Sequence, residues 1–141
     1  MPTLQLTVSP SQTPERCQQL ATALTELTAQ LLGKRAGVTA VTIHSLPGTH
    51  WFVGGDPVGK PAAMLDIAIT QGTNTAVEKA AFVAAVFAEL QQQLTQGVDL
   101  HEASYITVRE VPATDWGYGG VTQAGRKLAA DALPAPITSP D

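Results

Sequence analysis

Charge is sparse in this sequence. Its 141 residues hold eight Lys and Arg against twelve Asp and Glu, 14% of the chain, for a net charge of −4. No basic cluster stands out, so nonspecific nucleic-acid binding is not expected. So few surface charges also suggest that part of the surface is covered, and self-association is the expectation. A single cysteine rules out an internal disulfide and fits a reducing compartment. Cys17 falls on an apolar helical stripe and reads as a small core residue. There is no signal-peptide pattern and no apolar run of about 18 residues, so a cytoplasmic location without membrane contact is expected. His44 lacks partner histidines or cysteines at ligand spacing, and no metal is expected. The stretch "GGDPVGK" lacks the spacing of a phosphate-binding loop, and no cofactor is implied.

What is present is a folded-domain composition, 44% apolar, in a length suited to one compact unit. The alternation in "TLQLTV" (3–8) puts Leu4, Leu6 and Val8 on one face of a half-buried strand. Thr13 is a suitable N-cap, Pro14 suits the first helical position, and Glu15 complements the positive helix end. Cys17, Leu20, Ala21, Leu24, Leu27 and Leu31 form an apolar stripe, and Gly33 reads as the C-cap. The β-branched run at 38–46 predicts a second strand. The same order then recurs. Residues 63–70 alternate, with Leu65, Ile67 and Ile69 sharing a face. Residues 76–96 carry Val77, Ala81, Val83, Val86, Phe87, Leu90 and Leu94, with Gly97 as the terminator. Residues 104–111 predict another strand.

A phrase follows the last strand of each half: "HWFVGG" at 50–55 and "DWGYGG" at 115–120. The repeat predicts an α/β fold of two tandem β-α-β units, 2–58 and 62–120, within one domain spanning 1–120. They would form a four-stranded sheet with both helices on one face. Residues 121–141 read as a C-terminal arm or tail, in which 122–133 could be a short helix.

The chain opens "MPTLQLTV". Proline at position two is common, but it normally permits removal of the initiator Met, leaving a secondary amine at the head of a strand. Together with the helix, the second strand and an aromatic followed by Gly-Gly, this resembles the tautomerase superfamily. The two fused units are similar to the arrangement of macrophage migration inhibitory factor and of the cis-3-chloroacrylic acid dehalogenase group. The resemblance implies that Pro2, once Met1 is lost, is a general base. In "LGKRAG", Lys34 matches an active-site lysine of the migration inhibitory factor pattern. Tyr105-Ile106-Thr107 matches a Tyr-Ile-Asn whose tyrosine reaches a neighbouring subunit's proline. Ile69 lies where that pattern has an apolar wall residue. Trp51 lies where 4-oxalocrotonate tautomerase has a pocket aromatic. Strand period puts Tyr105, Thr107 and Arg109 on one face.

The departures narrow the substrate. Gln12 and Ala40 stand where two arginines of 4-oxalocrotonate tautomerase bind a dicarboxylate. Thr70 and Thr73 stand where the dehalogenase group has arginines, and Gly117 where it has a water-activating glutamate. The resemblance therefore implies a cofactor-independent keto–enol tautomerase acting on a small 2-oxo acid. Its carboxylate would be held by Lys34 and Arg109, within a homotrimer. Hydration, dehalogenation or decarboxylation of a small unsaturated acid is the neighbouring alternative, and a non-catalytic trimeric binding module a third. Several residues keep a structural alternative. Lys34 also suits a helix C-terminus. Tyr105 and Arg109 also suit a solvated strand or an interface, and Trp51 and Trp116 suit an interface as well as a pocket wall.

Overall fold

The computed structural model describes residues 1–132; of the expected tail, 133–141 lie outside the described residues. Strand β1 (Thr3–Ser9) leads into helix α1 (Pro14–Leu32), and the chain returns as β2 (Ala40–Ser45). A small hairpin of β3 (Phe52–Val53) and β4 (Asp56–Pro57) follows. The second unit repeats this order with β5 (Ala62–Thr70), α2 (Ala76–Leu94) and β6 (Ile106–Val111). A second hairpin, β7 (Gly117–Tyr118) and β8 (Val121–Thr122), leads into α3 (Gln123–Ala132).

The local signals act as their chemistry requires. Thr13 accepts from the Arg16 N–H at 3.1 Å, Pro14 opens α1, and Gly33 closes it in the left-handed region at φ 69°. Thr75 and Glu78 satisfy each other's backbone N–H groups in a capping box at the head of α2.

The sheet order is β2-β1-β5-β6. Each unit pairs its own strands in parallel, and the units join through the antiparallel pair β1 and β5. That junction is a pseudo-twofold. Its two ends show the same link: the Ala40 N–H donates to the Pro2 carbonyl at 3.3 Å, and the His101 N–H donates to the Pro61 carbonyl at 2.8 Å.

Leu4, Leu6 and Val8 of β1 and Leu65, Ile67 and Ile69 of β5 face the helices and are fully buried. Burying such a side chain contributes about 1.5–3 kcal/mol. From the helices come Leu20, Leu24, Phe82, Val86 and Leu90. The stripe of α2 differs from the sequence expectation. Its buried line is Phe82, Val86, Leu90 and Leu94, every fourth residue, whereas Val77 in the first turn is 79% exposed and Val83 lies at the surface. A helix on a flat sheet buries one narrow row, so the broader run of small apolar residues overstated the contact. Likewise α2 ends at Leu94, with Thr95 as cap, ahead of Gly97.

The other sheet face carries no helix. Thr3, Gln5 and Thr7, Thr42 and His44, Met64 and Asp66, and Tyr105, Thr107 and Arg109 alternate with the core residues of their strands and so point to that side.

Candidate active site

The pseudo-twofold fixes what can gather around Pro2. β5 runs antiparallel to β1 and β6 parallel to β5, so β6 ends beside the start of β1. The hairpin that follows β6 therefore lies at the Pro2 end, and the hairpin that follows β2 lies at the Pro61 end. The two ends are not chemically equivalent, because the nitrogen of Pro61 is an internal tertiary amide.

Pro2 is buried. Continuing the register of β1 and β5 by one residue sets it opposite Ile69, which has no solvent exposure. Ile69 thus belongs to the core and at the same time backs Pro2. In the structure Met1 is present, and its amine is held below the ordinary 8.0. Burial is the largest cause, followed by the positive charges of Lys34 and Arg35.

Lys34 follows the C-cap glycine of α1. Its Nζ donates to the Thr73 hydroxyl at 2.8 Å, and that hydroxyl donates to the Thr70 carbonyl at 2.6 Å. Burial lowers the Lys34 ammonium from 10.5, while Glu78 and Glu110 pull the other way. Glu110 is itself fixed by the Gly72 N–H at 3.1 Å and by Lys79 at 3.2 Å. Lys34 therefore acts on the amine through space while its own hydrogen bond runs to the Thr70–Thr73 turn.

A cleft of about 400 Å³ opens at Met1. Its walls are Arg35 and Val38 on one side and Tyr118, Gln123, Arg126 and Lys127 on the other. The sequence pattern did not disclose the second wall. Arg126 donates from Nη2 to the Tyr118 carbonyl at 2.7 Å, and its guanidinium carbon lies 3.7 Å from the centre of the Tyr118 ring. That is stacking distance for a cation on an aromatic face. Gly119 makes this fit possible: its φ is +62°, and a Cβ there would meet Arg126 Nη2 at 2.8 Å. The signal was the second Trp-x-Tyr-Gly-Gly phrase, whose place at the Pro2 end follows once the units are antiparallel.

Within one protomer the other expected residues lie elsewhere. Trp51 is buried beside Leu46, His50 and Met64, at the far end of β1, roughly 20 Å from Pro2 at about 3.3 Å per strand residue. Tyr105 is 64% exposed and, with Thr107, Gln5 and Asp66, lines a groove of about 240 Å³ on the helix-free face. Arg109 lies on the same face and pairs with Asp66 at 2.8 Å. Only a neighbouring copy of the chain can bring Trp51 or Tyr105 to Pro2.

No protein-family model and no curated protein sequence matches the chain. Solved structures do match. A wild-type fused 4-OT described as an asymmetric trimer aligns with TM-score 0.74 and 25% identity, covering 90% of this chain and 98% of that one. A protein inactivated by 2-oxo-3-pentynoate gives 0.74 and 20%, over 88% and 98%. A macrophage migration inhibitory factor-like protein from Entamoeba histolytica gives 0.68 and 20%, over 86% and 97%. The fold is that of the tautomerase superfamily. Within it the chain has the fused 4-OT arrangement, two β-α-β units in one polypeptide. No helix among the described residues is long and apolar enough to cross a membrane.

Proposed function

We propose that the protein is a cofactor-independent tautomerase that interconverts the keto and enol forms of a small 2-oxo acid, with the Pro2 amine as general base. The supporting observation is the chain-terminal amine itself: it is partly buried at a cleft lined by cations, and its pKa is lowered by that burial and by the charges of Lys34 and Arg35. After loss of Met1, the Pro2 nitrogen heads β1 with Ile69 behind it and Lys34 and Arg35 nearby. A secondary amine is intrinsically basic, and lowering its pKa toward working pH leaves it neutral and able to take a proton. Toward the enol it removes a proton from the carbon beside the substrate carbonyl while the carbonyl oxygen gains one, and toward the keto form it returns a proton to that carbon while the enol oxygen loses its own. The surrounding positive charge stabilises the enolate oxygen as charge develops.

Alkylation tests this reading. An alkynyl ketone accepts an amine at the carbon β to its carbonyl, and only the neutral amine attacks. Incubation with 2-oxo-3-pentynoate, the inactivator of one structural neighbour, is expected to label the chain once, on the Pro2 nitrogen, with loss of activity. Peptide mass spectrometry that finds the adduct elsewhere, or none at all, would sink the reading.

The working form is proposed to be a homotrimer. The helix-free face exposes Tyr105 and Met64, and its Asp66–Arg109 pair is internally neutralised, which suits burial against copies of itself. Structural neighbours include fused 4-OT trimers. Sedimentation at micromolar concentration is expected to give a trimer. A clean monomer would leave Tyr105 and Trp51 with no route to a Pro2.

A further inference from the structure

The cleft at the amino terminus needs a group that fixes the substrate carboxylate, and Lys34, Arg109 and Arg126 are the candidates. Lys34 donates to Thr73 and feels the carboxylates of Glu78 and Glu110. Arg109 is on the opposite sheet face, held by Asp66. Arg126 lines the cleft itself. Its plane is fixed by the Tyr118 ring and by the bond from Nη2 to the Tyr118 carbonyl. Its Nε is buried and has no hydrogen-bond acceptor among the described residues, and the same holds for Nε2 of Gln123 on the same wall. A buried donor without an acceptor is costly to leave so. Both atoms are covered, so it is the rest of the Arg126 and Gln123 side chains that meets the cleft. The lining also includes Arg35 and Lys127, and a lining so rich in donors and cations suits an anionic guest. No carboxylate lines the cleft among the described residues, although the chain as a whole is acidic.

We infer that Arg126 is the carboxylate-binding residue of this site, held in place by its stack on Tyr118 and assisted by Gln123. The second hairpin and α3 are therefore a wall of the site. The role rests on the reading of the cleft as a 2-oxo acid site. It assigns binding to a part of the chain beyond the two β-α-β units. A planar guanidinium presents parallel donors to a carboxylate, and fixing its plane in advance makes the contact directional. Lys127 at the rim is paired with Asp131 at 3.7 Å on the exposed side of α3 and is offset by that carboxylate.

Calorimetry with an unreactive pair separates this role from catalysis. 3-Phenylpropanoate and 3-phenylpropanamide have the same shape and differ in charge. Met1-free protein is expected to bind the carboxylate at least about tenfold more tightly than the amide. Arg126→Gln should abolish that preference and leave amide binding unchanged. Arg126→Lys retains the charge but not the fork, so it should recover part of the preference, and it covers the case in which the glutamine variant does not fold. On phenylpyruvate, Arg126→Lys should raise KM several-fold with kcat nearly unchanged. Full preference in either variant, or its loss in Lys34→Gln instead, would overturn the assignment. Pro2→Ala must keep the preference, since binding this pair needs no proton transfer. A failure of the proline base and a failure of the Arg126 site are thus distinguishable.

Discussion

Pro2→Ala is expected to slow the interconversion of phenylpyruvate enol and keto forms by roughly 10²–10⁴-fold, the usual contribution of a positioned general base. The substitution is mild. It keeps a free amine at the head of β1, because Met1 is also removed before alanine, and it deletes little volume beside Ile69. What changes is the base: a primary amine replaces a secondary one, and it is no longer held by a ring. The Ala40 N–H keeps its acceptor, because that bond runs to the carbonyl of residue 2. The fold should therefore be intact by circular dichroism while kcat falls and KM moves little. A variant as active as the parent would mean that neither the ring nor the secondary character of the amine is needed to move the proton.

Much of the fold is legible in the amino-acid sequence alone. Both caps of α1, the alternation of β1 and β5, and the tandem units follow from local chemistry, and the structure has them at nearly the same residues. The sheet face of each strand is legible because period two leaves no choice once one face is apolar. The row of α2 is less legible: Ala, Val and Phe recur on several sides of that helix, and only packing on the sheet selects Phe82, Val86, Leu90 and Leu94. The candidate site residues divide by which end of the sheet each one reaches. Pro2, Ile69 and Lys34 lie close together because the register of β1 and β5 and the end of α1 bring them there. Trp51 and Tyr105 do not join them in one protomer, because β2 runs parallel to β1 and carries the first hairpin to the far end, and β6 starts on that same side of the sheet's midpoint. The antiparallel junction brings Tyr118 and Arg126 to the cleft, more than a hundred residues along the chain from Pro2. Local pattern cannot place residues across that separation; the pseudo-twofold does.

The structure with Met1 in place points to the second large effect. Met1 lines the cleft, and its peptide bond makes the Pro2 nitrogen a tertiary amide with no useful basicity. Chain that keeps Met1 should therefore be slower by a factor comparable to loss of the base, about 10²–10⁴. The Met1 amine is itself lowered in pKa by burial and by Lys34 and Arg35. It is thus a competing candidate for the base, and this makes the comparison decisive. The two forms can be prepared with and without methionine aminopeptidase treatment, verified by intact mass, and compared in the phenylpyruvate enol–keto assay. Activity should track the fraction of chains beginning at Pro2. Equal rates for the two forms would contradict it, because the amine at Met1, or no terminal amine at all, would then be moving the proton.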